Sequence, residues 1–532
     1  MKLFLPIITM SLVLVACATS KQQLTSARES LPVLSYQQML EDHDTLVSYI
    51  RQTSPIIYYN KEVRGIDFEL HAKKLRSQID RTTTTATFLQ IVEKTLNAAQ
   101  DGHTSRLGSW QLDIMKKYWL PAGISFVRGI DSASTENAYT YAAYLRKEIY
   151  TKLDLNLVYT SGAYYNVLPF SYKGKNYPAS MELISCNGIA IHDYVSSLTE
   201  LVSPLRWDRT NNRVYEEGFY SHIDNYKNDE IKFVFRDRDQ QEHQLHIATN
   251  DTITFLQEKT RTYGYNSDTD TIITHYFEPQ GIFYARIPMM VEEFGDSVKQ
   301  RLEAVSRGNT IKAVVVDIRG NGGGSDNTYG QFLKSIVQDT LTLDIVIGRN
   351  FSPYNQQYFN INRDSVENRE ANTFTVNVPT LHEPEMYYIQ QSYDFVVPDS
   401  NALPFQGKIY ILQDRYIYSS ASNLSTLAKN SDQLISIGQT PDLLGGFQTN
   451  PVVMMLPHSK VIFRVEPQID LTNITTVSDI FQNNVEYPVP YSIEDVYTRS
   501  TTTEDIYGKD FLFNRDPMFK KVMELEQLKR GK

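Results

Sequence analysis

The sequence predicts a multidomain α/β chain, and three observations carry that reading. Two segments run from an apolar strand through a turn of small residues into a helix: Lys312–Asn327 leading into Thr328–Val337, and Gly407–Asp414 leading into Tyr418–Asn423 and a run through Leu424, Leu427 and Ala428. Residues 32–100 repeat apolar positions at helical spacing. From about Trp110 to Gln257 the pattern breaks into short β-like runs separated by turns. Unbroken apolar stretches such as Ala313–Val316 fit strands covered on both faces, so the last region is an α/β core with a mostly parallel sheet.

The N-terminal helices can be taken in order. Ser35 and Gln38 form a capping box, followed by Met39, Leu40, His43, Val47 and Ile50 on one face. His43 there reads as a half-buried structural histidine. Asp67 caps a second helix carrying Phe68, Ala72, Leu75 and Ile79. A third begins near Thr87, aligns Leu89, Val92, Leu96 and Ala99, and stops at Asp101-Gly102-His103-Thr104. His103 therefore follows a rigid element on an exposed loop. A capping or solvent-facing role and a catalytic one both stay open at this point.

In the β-rich stretch, Met181–Cys186, Asn187-Gly188 and Ile189–Ile191 read as a hairpin with a tight primed turn, and Tyr194–Leu201 as helical. His243 and His246 lie three residues apart, so on a strand they face opposite sides, and no metal site is expected. Gly281–Ile287 opens the α/β core, and a helix from about Ser297 leads to the glycine-loop strand. Residues 340–405 read as an extended Asn- and Tyr-rich insertion, Gln433–Ile437 as a further strand, and Met518–Leu528 as a terminal helix.

Gly320, Gly322, Gly323 and Gly324 let the backbone after Asp317 turn tightly and approach a ligand closely. A tight structural turn, a phosphate cradle and an oxyanion site are all compatible with the loop. The phosphate signatures are not met: there is no Gly-Lys-Ser/Thr ending, and Ser325 stands where a third glycine would be. Ser420, between strand end and helix start, occupies a position where a helix N-terminus stabilises developing negative charge.

Asp317–Gly324 and Tyr418–Asn423 together resemble the tail-specific, or C-terminal processing, serine peptidase family and its tricorn-like branch, whose members have an Asp-x-Arg-x-Asn-x-Gly-Gly strand end and a later serine segment. The resemblance implies a ClpP/crotonase-like core, Ser420 as nucleophile, and an oxyanion hole from the N–H of Gly322 or Gly323 with that of Ala421. The lysine used by many members is missing from Thr440–Gly446. The histidine branch is then implied, with His103 as general base and Asp479, then Glu486, then Asp101, as candidates for the acid that orients it. Asn423 and Gly102 depart from the family pattern. The strand–Asn–Gly–strand segment resembles PDZ-like domains, which take up peptides as added strands. The expected activity is a serine endopeptidase acting on polypeptides, without a cofactor or metal; a non-catalytic peptide- or apolar-ligand-binding protein on the same fold is the alternative.

Lys2 and the apolar run Leu3–Ala16 read as a signal peptide, and Leu14-Val15-Ala16-Cys17 resembles a bacterial lipoprotein box. Lipidation of Cys17 and residence at a membrane of the bacterial cell envelope are implied. The expected organisation is 1–16 signal, 17–31 tether, 32–109 helical, 110–260 PDZ-like, 275–496 peptidase core and 497–532 C-terminal segment. The only other cysteine, Cys186, reads as a small core residue. A net charge of −10 without a basic block argues against nucleic acid as partner. The sequence sets no oligomeric state.

Overall fold

The computed structural model describes residues 31–530 except 125, 126, 128, 132, 133, 147–152, 223–229, 249, 250, 261–269, 365–380, 382, 383, 442–450 and 482–484. The signal, most of the tether and Cys17 lie outside the described residues. Among those described, no helix is long and apolar enough to cross a membrane.

The chain begins with four helices: α1 (Tyr36–Thr53), α2 (Ile56–Arg64), α3 (Phe68–Arg76) and α4 (Thr85–Ala98). Ser35 and Gln38 close their capping box on α1, and Asp67 accepts from the Glu69 and Leu70 N–H groups at α3. His43 is fully buried, and burial pushes its imidazole down to about 4. Beyond α4 the two-residue strand β1 (Ser105–Arg106) is followed by helical residues, Ser109–Trp119 and Thr135–Arg146, where short β runs are expected. There the α-helices Ser109–Ile114 and Thr135–Arg146 replace the expected short β-like runs, because tertiary packing overrides so short a local pattern.

A six-stranded antiparallel sheet comes next, with β2 (Leu157–Thr160), β3 (Ala163–Asn166), β4 (Glu182–Cys186), β5 (Glu230–Arg236) and β6 (Glu242–Ala248) in the order β6-β5-β4-β3-β2 and the short strand Ile189–Ala190 paired with β4 off that path. The Asn187-Gly188 turn is primed, with φ of 52° and 78°. Cys186 is buried, and burial pushes its thiol up to about 12. His243 bonds Asp237 and His246 bonds Glu230, on separate sides of β6.

The core sheet comprises β7 (Ile273–Phe277), β8 (Ile282–Arg286), β9 (Ala313–Asp317), β12 (Lys408–Gln413), β13 (Leu434–Gly438) and β16 (Tyr487–Pro488), in the order β7-β8-β9-β12-β13-β16. All pairings are parallel except β7 with β8. Alternate residues of β9 and β12 feed two apolar clusters. Val314, Val316, Ile409 and Ile411 meet the helices α5 (Glu292–Ser306), α6 (Asn327–Leu333) and α7 (Ser420–Ala428) on one face. Ala313, Val315, Tyr410 and Leu412 meet Met518, Phe519 and Val522 of the C-terminal helix α8 (Pro517–Arg530) on the other. Burial on both faces explains why these strands show no polar alternation. Within the 340–405 stretch, the long strands β10 (Leu341–Asn350) and β11 (Met386–Val396) pair antiparallel, and a short helix, Pro353–Phe359, follows β10. Strands β14 (Val452–Met455) and β15 (Ile462–Val465) pair with each other, and β15 also pairs with β1.

Candidate active site

The glycine loop leaves the end of β9 on a buried ionic anchor. Arg319 lies across Asp317, donates from Nη1 to Asp516 Oδ2 at 2.6 Å and to the Tyr491 hydroxyl at 2.5 Å, and Arg499 reaches the same Asp516 oxygen at 2.7 Å. All of these groups are buried, so each charge depends on its partners for solvation. Asn321 then ties the loop to its surroundings. Its Nδ2 donates to Ile287 O, its Oδ1 accepts the Gly323 N–H at 2.8 Å, and its carbonyl accepts the Tyr418 N–H at 3.1 Å. Gly323 has φ 101°, and a Cβ there would lie 2.7 Å from both Ser419 Cβ and Tyr418 O. Only glycine permits this contact between the two strand-end turns.

The second turn follows β12. Asp414 Oδ1 accepts from both Gly320 N and Tyr416 N, each at 3.0 Å, so one carboxylate shapes both loops. The chain then passes through Ser419 at φ 52°, ψ −127° and enters α7. This backbone conformation lies outside the regions that residues with a Cβ ordinarily adopt and costs about 1–3 kcal/mol. A sharp, strained turn between strand and helix is the arrangement that lifts a serine hydroxyl clear of a sheet for nucleophilic attack. Ser419 is half-exposed, and the nine residues of α7 behind it are all buried.

His103 arrives from the N-terminal helices. The Asp101 side chain accepts from the His103 N–H at 3.0 Å and the Thr104 hydroxyl at 2.7 Å, which fixes the turn after α4. The β1–β15 ladder pairs Ser105 with Arg464 and Arg106 with Phe463; continuing that register by two residues sets His103 opposite Glu466. There His103 Nδ1 meets Glu466 Oε2 at 3.1 Å. Glu466 is 1% exposed, and burial pushes its carboxyl up to about 7 although His103 pulls it down. An ionised Glu466 keeps the proton on Nδ1 and leaves Nε2 as the basic nitrogen. Nε2 faces the Tyr418 hydroxyl at 3.3 Å, one residue before the strained serine.

Residues 281–468 match the sequence model of peptidase family S41. Over these residues the chain is similar to that family. Its enzyme class is that of serine-type peptidases. Among solved structures, mature CPAF is 12% identical, with 92% of this chain and 98% of that one covered and a TM-score of 0.54. Mature CPAF complexed with lactacystin is 11% identical, with 92% and 99% covered and a TM-score of 0.53. The photosystem II D1 C-terminal processing protease is 14% identical, with 88% and 98% covered and a TM-score of 0.37. At these identities the likeness to CPAF speaks for a shared fold. No curated protein matches the chain.

Within the matched residues lie the glycine loop, both serines and Glu466, whereas His103 comes from outside them. Ser420, the hydroxyl expected to act, is enclosed at 2% exposure beside Asp326, whose carboxyl is pushed up by burial although Ser420 opposes this, and its Oγ makes no well-formed hydrogen bond. The partly exposed serine of the elbow is Ser419. Of the expected oxyanion donors, the Gly323 N–H is taken by Asn321 and the Ala421 N–H by Tyr418 O at 3.2 Å. Among the described residues, the N–H groups of Gly322 and Ser420 make no hydrogen bond within the chain.

The first-choice acid, Asp479, is not beside His103. It pairs with Arg209 at 3.1 Å and caps the turn of Val477–Phe481; burial would raise its carboxyl, but the Thr475 and Thr476 donors bring it down to about 2. Glu486 stands at the edge strand, its N–H on Ser436 Oγ, and Asp101 is occupied in its own turn. Glu466 takes the orienting position instead. Its one signal in the sequence is a lone carboxylate between the apolar end of β15 and Pro467.

Proposed function

We propose that the chain hydrolyses peptide bonds of polypeptides with the Ser419 hydroxyl as nucleophile, His103 as general base and Glu466 as the carboxylate that orients it. The observation that carries this reading is the strained, accessible conformation of Ser419 against Gly323 at the start of α7. Ser419 Oγ attacks the scissile carbonyl carbon as His103 Nε2 takes its proton. The carbonyl oxygen becomes an oxyanion, for which the free N–H groups of Gly322 and Ser420 and the N-terminus of α7 are the available donors. His103 then gives its proton to the departing amine, leaving an acyl-Ser419. Water, deprotonated by the same imidazole, releases the acid. Ser420, closed in beside Asp326, supports the turn in this scheme.

Between α6 and the β10–β11 pair runs a cavity of about 700 Å³ that ends at Asp326 and Gln468, beside the site. Its walls, including Ile345, Ile389 and Phe395, suit an extended polypeptide with apolar side chains. The β-rich module keeps its reading as a PDZ-like peptide-binding unit, supported by the primed Asn187-Gly188 hairpin. The Leu14–Cys17 segment supports a lipid anchor in the bacterial cell envelope, which incorporation of labelled palmitate at Cys17 tests.

Reaction with a fluorophosphonate followed by peptide mapping tests the chemistry directly. Modification at Ser419, lost in Ser419→Ala and kept in Ser420→Ala, is expected. Modification at Ser420 would transfer the nucleophile to that residue, and no modification together with no cleavage would leave a binding protein on this fold.

A further inference from the structure

We infer that the Tyr418 hydroxyl occupies the basic nitrogen of His103 in the resting enzyme, so that Tyr418 must swing aside before Ser419 can be activated. This rests on the assignment of Ser419 and His103 made above. Three observations lead to it. His103 is bonded at both ring nitrogens, Nδ1 to Glu466 at 3.1 Å and Nε2 to Tyr418 at 3.3 Å, and so has no acceptor left for a serine proton. The tyrosine fits because residue 102 is glycine: a Cβ on Gly102 would stand 2.8 Å from the Tyr418 hydroxyl. The Tyr418 backbone is meanwhile fixed, its N–H on Asn321 O and its carbonyl on the Ala421 N–H, so only the side chain is free to leave.

A proton relay from Ser419 through Tyr418 to His103 is the competing role. It requires a hydrogen bond between the Tyr418 and Ser419 hydroxyls, and neither hydroxyl makes one to the other in this structure. Burial also pushes the phenol well above its ordinary range, which disfavours passing a proton through a phenolate. The ring of Tyr418 stands edge-on to the imidazole with centroids 5.9 Å apart, so rotation of the tyrosine alone frees Nε2 without moving His103 off Glu466.

The test compares the wild type with Tyr418→Phe and Gly102→Ala by two readouts: the rate constant for fluorophosphonate labelling of Ser419, and kcat/KM on an unstructured polypeptide. Phenylalanine removes the competing donor, and alanine at 102 displaces the ring. Both variants are expected to react faster, by about three- to tenfold, the worth of one net hydrogen bond. Unchanged or slower labelling in Tyr418→Phe overturns the inference, the slower outcome pointing to the relay. If the wild type is not labelled at Ser419 at all, the catalytic assignment fails instead, so the two failures are told apart.

Discussion

Replacing Glu466 by glutamine should move stability and activity in opposite directions. The Glu466 carboxyl is buried, and its value rises from an ordinary 4.5 to about 7. A carboxyl raised in this way favours the folded state while protonated. That contribution is fully present below 4.5 and is lost as pH climbs from 4.5 through about 7. At about 1.4 kcal/mol per pH unit, ionising Glu466 costs the fold about 3 kcal/mol at pH 8. Glutamine keeps the shape and an acceptor oxygen for His103 Nδ1 but carries no charge to desolvate. In urea unfolding, Glu466→Gln should therefore approach or exceed wild-type stability at pH 8 and show little or no advantage at pH 4.5. Peptide cleavage should fall by about 10²–10⁴-fold, because the amide neither selects the Nδ1–H tautomer nor stabilises the imidazolium. In the wild type, the acid limb of kcat should follow ionisation of the Glu466 carboxyl, near pH 7. Equal destabilisation at both pH values, or cleavage within a few-fold of wild type, would refute this reasoning.

Other perturbations probe the scaffold. Gly323→Ala places a methyl 2.7 Å from Ser419 Cβ at a φ of 101°, so cleavage should fall by at least about 10²-fold while circular dichroism stays native-like. Asp516→Ala leaves Arg319 and Arg499 without their shared carboxylate, and a loss of about 3–5 kcal/mol in denaturant titration is expected. Asp479→Ala should cost only about 1 kcal/mol, the worth of a cap, and leave cleavage within about twofold of wild type. A large loss of activity there would bring Asp479 back as a catalytic candidate.

The sequence was most informative where one local rule decides the structure. The N-terminal caps, the primed turn at Asn187-Gly188 and the unbroken apolar strands of the core are each fixed within about ten residues of chain. The placing of His103 behind a helix stop is equally local. Glu466 was not legible, because its meeting with His103 depends on a two-residue ladder between segments 363 positions apart. Ser419 and Ser420 are neighbours of the same type, and the backbone torsion at 419 accompanies the difference between a partly exposed serine and an enclosed one. The helices at Ser109–Trp119 and Thr135–Arg146 fall in a stretch read as short β-like runs, where no sustained helical spacing marks them.

The short ladder between Ser105–Arg106 and Phe463–Arg464 works as a clasp. It is one of several joins between the N-terminal helices and the rest of the chain, beside the Asp42 bonds to the His458 and Ser459 N–H groups. Loosening this ladder together with the Thr104–Glu466 bond beside it would let His103 and Glu466 part while the central sheet stays intact. The enzyme would then be silenced and restored without being unfolded.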